Sequence, residues 1–575
     1  MIRFNRIFDG NSPAEQQRLA QVQALFQKLF PREDEYAGQL ARELAERRST
    51  GFEPILLTAT NAHSQLLGFA QFYYFPGSRL GYLNYIGSDQ MHSRRGIGKA
   101  LYESAREYLR ERDALGLLLE IPPDDANQVS ESERLKDNKT RARFYESFDA
   151  RPIINTGWQH PPIAWDYDPP WLVYDSLGSN KPLRRRALRN GMRDILQYRY
   201  HLQPDTEFVK ALQDSVQDDP VRLRPPRYQT RQLPVPAWHG KLKHIKLLAS
   251  THHEIHHVRQ QGYVERPARV DAILRGLADL PVEKLPVRHY GEDILRAVHA
   301  SDYVSYLKRA TSALDARTTI YPQVFPIRRP DNRPRDMAIR AGYYCIDTFT
   351  PLSQAAYKAA RAAADCAASG AELLLDGEQF VYALCRPPGH HAEHRAYGGF
   401  CYFNNAAIAA HKLSKTGRVA LLDIDYHAGN GQQQIFYQRN DVFTLSLHGR
   451  PRDHYPYFAG FADEKGADAG LGFNRNFPLA DMLGDATYLT ALSKAIKLIR
   501  DFKPHWLVVA LGYDGMRGDP TGNFDLSATG LRDIGAAVAT LELPTLVIQE
   551  GGYVLANLRH GARSFFTGLI QRWYR

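Results

Sequence analysis

"LLDIDYHAGNG", Leu421–Gly431, begins as a buried strand and ends as something else. The apolar run that opens at Val419 carries Asp423, Asp425 and His427 at every second position, and the chain then breaks into glycines. Side chains at i, i+2 and i+4 of a strand share a face, so the spacing predicts two carboxylates and an imidazole converging at one strand end. Buried carboxylates that face each other cost several kcal/mol each unless a positive charge offsets them, and a metal ion is the simplest such charge. For an isolated D-x-D-x-H, helix capping or a loop hydrogen bond explains the aspartates as well.

Three further stretches repeat the pattern of an apolar strand ending in polar groups. "HWLVVALGYDGMRGDP" (His505–Pro520) runs into Asp514, "CRPPGHHAE" (Cys385–Glu393) places His390 beside His391, and "TLVIQEGGYVL" (Thr545–Leu555) ends in a double glycine and Tyr553. Between the strands lie Ala-rich helical segments such as "AAYKAARAAADCAASGAELLLDG" (Ala355–Gly377). That alternation predicts a mainly parallel sheet with helices on both faces, and in such sheets ligands bind beyond the carboxyl ends of the strands. Four such ends carrying Asp/His, Asp, His-His and Tyr are hard to explain by packing, since each buried polar group needs a partner. Asp425, His427 and Asp514 form an O, N, O set that leaves a position for water or substrate. Zn²⁺ is the leading candidate, and Fe²⁺ and Mn²⁺ accept the same ligands. The reading is a metal-assisted hydrolase.

The remaining sequence sets the bounds. With 575 residues the chain calls for two or more domains. We expect an α/β chain divided at 1–165, 166–240 and 241–575, the middle stretch a Pro-rich linker with a basic helix near Arg184–Tyr198. Residues 53–75 read as a hairpin turning at Asn61–Gln65. Cys345, Cys366, Cys385 and Cys401 form no C-x-x-C pair and read as buried thiols of a reducing, cytoplasmic compartment. No secretory signal and no membrane-spanning run is seen. The net charge of +10, spread over the whole chain, is weak evidence for an anionic partner, and no membrane or nucleic-acid partner is expected.

"RPPGHHA", "GGFCYFNNAAIAA", "LLDIDYHAGNG", "LSLHG", "YDGMRGDP" and "EGGY" stand in this order between about 245 and 575 and resemble the motifs of the histone deacetylase and acetylpolyamine amidohydrolase family. The resemblance implies an arginase-like three-layer α/β/α fold. It also implies metal ligands Asp425, His427 and Asp514, and His391 as the base that takes a proton from metal-activated water. His390 would be oriented by Asp423, Asn430 would orient His391, and Tyr553 would polarise the acetyl carbonyl. Ser446, with backbone near Asp423, Asp425, His427 and Leu447, matches a K⁺ or Na⁺ site, and Phe400 and Tyr455 match the walls of the acyl channel. Either aromatic could equally be core. An arginase-type second metal would need carboxylates where Gly429 and Met516 stand, so one metal is expected. The stretches Thr318–Ser353 and "HYPYFAGFADE" (His454–Glu464) are similar to the acetylpolyamine branch, which implies a slim acetylated-amine substrate and a homodimer. Protein acetyl-lysine remains the alternative substrate.

"LNYIGSDQMHSRRGIGKALYESA" (Leu83–Ala105) reads as a strand, a loop and a glycine-opened helix, whose N-terminus suits a pyrophosphate. With "NKTRARFYESFDARPI" (Asn138–Ile153) it resembles the GNAT acetyltransferases over about 1–160. That resemblance implies acetyl-coenzyme A held by Arg94, Arg95, Gly96, Ile97, Gly98 and Lys99, with Tyr145 as the acid for the leaving thiolate. Glu120 is a candidate base or a plain strand-end carboxylate. Ser93 departs from the family's Gln or Arg at that slot. A working acetyltransferase and a non-catalytic acetyl-coenzyme A module both stay open.

Overall fold

Strands whose side chains are apolar on both faces need cover on both faces, and the second half of the chain supplies it. The structure is a computed structural model. It describes residues 3–31, 33–46, 51–61, 64–89, 96–129, 133–159, 168–179, 181–228, 244–250, 252–258, 262–316, 318–326 and 331–573. It divides into two units, Met1–Pro234 and Val235–Arg575.

In the first unit the strands are β1 (Arg3–Ile7), β2 (Glu53–Thr60), β3 (Leu66–Phe75), β4 (Leu80–Ser88), β5 (Gly116–Ile121), β6 (Arg151–Pro152) and β7 (Trp171–Asp175). They form one mixed sheet in the order β1-β2-β3-β4-β5-β7-β6, in which only β4 and β5 are parallel. Its helices are α1 (Pro13–Leu29), α2 (Asp34–Ala45), α3 (Ile97–Arg110), α4 (Arg134–Glu146), α5 (Arg185–Tyr198) and α6 (Glu207–Asp214). The hairpin of β2 and β3 turns where the sequence places it.

Residues 166–240 differ from the linker expectation. β7 pairs with β5 inside the sheet, and α5 buries Leu188, Met192, Ile195 and Leu196 in a core shared with Leu80, Leu118 and Tyr174. The arginines of α5 dominate its sequence, but its apolar residues fall at i, i+4, i+7 and i+8, one helical face. Farther on, Arg224 pairs with the buried carboxylate of Asp124 at 2.5 and 2.8 Å. The described chain therefore belongs to the first unit through Tyr228.

The second unit holds β8 (Ile245–Ala249), β9 (Val282–Leu285), a small antiparallel pair β10 (Thr319–Ile320) and β11 (Leu352–Ser353), then β12 (Phe380–Leu384), β13 (Val419–Asp423), β14 (Val442–Gly449), β15 (Asn474–Leu479), β16 (Trp506–Leu511) and β17 (Thr545–Gln549). Eight of them make an all-parallel sheet in the order β15-β14-β13-β16-β17-β12-β8-β9. Alternation decides the layers. Tyr382, Leu422 and Val509 face one core, and Val381, Leu421 and Val508 face the other. The helices are α7 (Ala268–Leu277), α8 (Asp293–Arg296), α9 (Ser301–Ser312), α10 (Ala356–Leu375), α11 (Asn405–Ser414), α12 (Asn430–Phe436), α13 (Asp485–Phe502), α14 (Ala528–Ala539) and α15 (Leu555–Trp573). α7, α13, α14 and α15 cover the first face, and α9, α10 and α11 the second. The result is three layers, α/β/α. Among the described residues no helix is long and apolar enough to cross a membrane. All four cysteines are buried and free.

Candidate active site

The order β13-β16-β17-β12 sets four carboxyl ends side by side, and each is followed by a segment carrying polar groups. β13 ends at Asp423, so Asp425 and His427 do not share a strand face as the alternation suggests. They converge because the following turn is tied by its own carboxylates and by that of Asp514. Asp425 N–H donates to Asp423 Oδ1 at 3.0 Å, His427 N–H to Asp425 Oδ1 at 2.9 Å, and Tyr426 N–H to Asp514 Oδ1 at 3.0 Å.

The ligand atoms of Asp425, His427 and Asp514 lie within 4.8 Å of one another. His427 Nδ1 is 3.0 Å from Asp514 Oδ2 and 3.3 Å from Asp425 Oδ1. Burial pushes the His427 imidazole down, and the two carboxylates outweigh it and lift it to about 9. Two fully buried carboxylates aimed at one imidazole nitrogen demand a positive charge, and this donor set fits a divalent cation. The backbone makes room for it. A Cβ on Gly512 would stand 2.0 Å from Asp425 Oδ2, and one on Gly551 would stand 2.6 Å from both Asp425 Oδ2 and Asp514 Oδ2.

Beside this set the histidine pair differs in electrostatics. His390 Nδ1 faces Asp423 Oδ2 at 3.0 Å, and Nε2 stands 3.7 Å from Asp425 Oδ1. Burial opposes its charge, but Asp425 and Asp423 lift its pKa to about 10. His391 Nδ1 meets Asn430 Oδ1 at 2.7 Å, while the Asn430 amide donates to Glu393 Oε1 at 2.8 Å. Burial, with the neighbouring His390 and His427, holds His391 well below the usual imidazole range. The two rings thus differ in partner, a carboxylate on one Nδ1 and a neutral amide on the other.

Tyr553 is buried after β17, and its backbone N–H donates to Asp519 Oδ2 at 2.8 Å. Burial pushes its hydroxyl up, so it stays a proton donor. The Phe400 ring packs 5.7 Å from that of Tyr553, and the Tyr455 ring packs 4.7 Å from that of His391. Tyr455 donates to Asp347 Oδ2 at 3.1 Å, and Asp347 also accepts the Gly399 N–H at 2.6 Å. Both aromatics border the site. Ser446 lies opposite Asp423 in the β13–β14 ladder, with its hydroxyl 2.7 Å from His448 Nδ1, and the adjacent Leu447 is buried.

The sequence reading missed Asp347, Asp519 and Glu550. Asp519 ("RGDP") and Glu550 ("EGGY") were visible as charged residues beside apolar strand ends, but neither spacing indicated what they hold. Asp347 carried no such signal.

In the first unit, Arg94 and Arg95 lie outside the described residues. Gly96 caps α3 in the left-handed region at φ +66°, followed by buried Ile97 and half-buried Gly98 and Lys99. Tyr145 and Glu120 are not brought together. Tyr145 is in the core that also holds Leu117, Leu119 and Ile121 of β5, whereas Glu120 points to the opposite sheet face. There it accepts from Tyr82 and Tyr200 at 2.6 Å and from the Trp158 indole at 2.9 Å.

The histone deacetylase domain matches residues 263–569. The chain belongs to the histone deacetylase family. The acetyltransferase (GNAT) family matches residues 19–132, so this member joins a deacetylase-family domain to a GNAT domain. Acetylpolyamine amidohydrolase 2 of Pseudomonas aeruginosa is 38% identical over 333 residues, 56% of this chain and 97% of that protein. Acetylpolyamine amidohydrolase of Mycoplana ramosa is 35% identical over 340 residues, 56% and 99% respectively. The crystal structure of acetylpolyamine aminohydrolase from Burkholderia pseudomallei superimposes with TM-score 0.54 at 34% identity, covering 57% of this chain and 99% of that one. That likeness agrees with the α/β/α layers and the parallel sheet.

Proposed function

We propose that the second unit of this deacetylase-family protein is a metal-dependent amidohydrolase that removes acetyl groups from small acetylated amines, acetylpolyamines above all. The observation that carries the reading is the Asp425–His427–Asp514 donor set beside a histidine held by a carboxylate and a histidine held by an amide. The curated relatives named acetylpolyamine amidohydrolase, matched over nearly their whole length, support the substrate class.

Asp425, His427 and Asp514 would hold the ion, with Zn²⁺ favoured over Fe²⁺ and Mn²⁺. When bound, the ion supplies Lewis acidity, lowering the pKa of water and polarising a carbonyl. His391 is the base. Its Nδ1–H donates to Asn430, which leaves the Nε2 lone pair to take a proton from water and to return it to the leaving amine. His390, held by Asp423, brings a positive charge beside that reaction. Tyr553 donates its hydroxyl hydrogen to the acetyl oxygen as negative charge grows there. Phe400 and Tyr455 wall the acyl group from bulk water. A K⁺ or Na⁺ near Asp423, Ser446 and the Leu447 backbone would brace the β13 turn.

For the first unit we read an acetyl-coenzyme A site at the start of α3, around Gly96–Lys99 together with Arg94 and Arg95. Whether transfer chemistry follows is tested by acetylation assays on amines with Tyr145→Phe as comparison. A homodimer accords with exposed Val324 and Phe458 in the two stretches that resemble the acetylpolyamine branch, and the buried free thiols suit a reducing cytoplasm. Acetate release from acetylated diamines by the zinc-loaded protein tests the main reading. Release from acetyl-lysine peptides alone would replace the substrate class.

A further inference from the structure

We propose that the Glu550 carboxylate is a positioning residue of the hydrolytic site: it fixes the His390–His391 turn against the segment that carries Tyr553. The proposal rests on the hydrolase reading above. Glu550 directly follows β17 and is fully buried. Its Oε2 accepts the backbone N–H of Gly389 at 2.6 Å and of His390 at 3.1 Å. The same segment is anchored on its other sides. Glu550 N–H donates to Leu511 O at 2.9 Å, Gly551 N–H donates to Asp425 Oδ2 at 2.8 Å, and Asp519 holds the Tyr553 N–H.

Glu550 therefore links two parts of the site that are 160 residues apart in sequence. One is the turn bearing both histidines, and the other is the segment bearing the tyrosine. The peptide between Gly389 and His390 sets where both imidazoles point. If it rotates, His390 leaves Asp423 and His391 leaves Asn430.

Packing alone does not account for a carboxylate here. Glu550 Oε1 is buried with no hydrogen-bond partner among the described residues, and a half-satisfied buried carboxyl group costs more than an apolar side chain filling the same space. What a side-chain oxygen at this place supplies is one rigid acceptor shared by two adjacent N–H groups, at hydrogen-bond length to both. Acceptance of those two bonds, rather than charge, is the role assigned.

The test uses the full-length, metal-loaded protein with Glu550→Gln, Glu550→Ala and Glu550→Met. Gln keeps an acceptor oxygen, Ala removes the side chain, and Met keeps its bulk without the acceptor. Misplacing a catalytic group by an ångström costs about 100-fold, so Ala and Met should lose about 100-fold in kcat while KM and metal content hold. Gln should recover to within about fivefold of the parent. Ala and Met variants with parental kcat, or a Gln variant as impaired as they are, would overturn the proposal. A crystal structure of the Met variant reads the same point without turnover. The 2.7 Å contact between His391 and Asn430 is expected to open, and histidines left in place would count against Glu550 even if the parent released no acetate. Parental inactivity would instead remove the hydrolase reading.

Discussion

His391 turns Nδ1 to Asn430 Oδ1 at 2.7 Å, and the Asn430 amide is itself committed to Glu393. A neutral partner on Nδ1 fixes the tautomer without adding charge, so Nε2 is left as a lone pair. We expect His391→Ala to cut kcat by about 10²–10⁴, with the ion still bound. Metal analysis beside acetate-release kinetics checks it.

Tyr553 stands apart from that proton path. Its backbone is held by Asp519, so Tyr553→Phe removes a hydroxyl and leaves the segment in place. Loss of one donor to a developing oxyanion costs about 10²–10³ in kcat. The expected result is that loss with KM nearly unchanged. A KM rise with intact kcat would make Tyr553 a substrate-binding group only.

Chelation should destabilise the second unit. Without a cation, the carboxylates of Asp425 and Asp514 face each other in a buried site. An ion that binds only the folded state adds about 2.7 kcal/mol at a hundredfold excess over Kd. Differential scanning calorimetry should show a lower Tm after chelator and recovery with Zn²⁺. An unchanged Tm would mean the set holds no resident ion.

His299 predicts a pH dependence away from the site. Its Nδ1–H donates to Glu393 O at 2.8 Å, and Nε2 accepts the Asn404 N–H at 2.9 Å. A second proton would set N–H against N–H, and burial holds the ring down to about 4, from an ordinary 6.5. The folded pKa lies below the unfolded one, so the unfolded chain takes up the proton first as pH falls. This contribution is therefore whole above about pH 6.5, lost between there and about pH 4, and worth about 3 kcal/mol in all. Denaturant melts across that window should fall with a shallower slope for His299→Gln. An equal slope would contradict the neutral assignment.

The first unit can be tested by cutting. Because β7 completes the sheet and α5 completes its core, a chain ending at residue 159 should not fold, and one ending at residue 228 should. Within the full chain, Arg224→Ala removes the two-pronged partner of buried Asp124 and leaves it Tyr228 at 2.9 Å and Arg227 at 3.5 Å, which should cost about 1–3 kcal/mol. Folding of the shorter chain would restore 166–240 to a linker.

Much of the fold was legible because period and polarity agree. The apolar runs 380–384, 419–422 and 546–548 read as covered strands, and the polar residues following them mark the strand ends. Asp425 and His427 were identified as partners by a face argument that the structure replaces with turn hydrogen bonds. The right residues came from a regularity that stops at Asp423. What stayed hidden depends on contacts between distant segments. Glu550 meets Gly389, Asp347 meets Gly399 and Tyr455, and Tyr145 and Glu120 fall on opposite faces of one sheet. No local pattern encodes such pairs. Residues 166–228 were misread because arginines masked an apolar helical face.

The proposed activity is hydrolysis of a small acetylated amine at the Asp425–His427–Asp514 centre. The measurement that meets it most directly is acetate release by the zinc-loaded protein from N-acetylputrescine and from an acetyl-lysine peptide, with Tyr553→Phe in parallel. We expect release from N-acetylputrescine, weaker release from the peptide, and near-complete loss in the variant. No release from either substrate, with the ion shown to be bound, would contradict it.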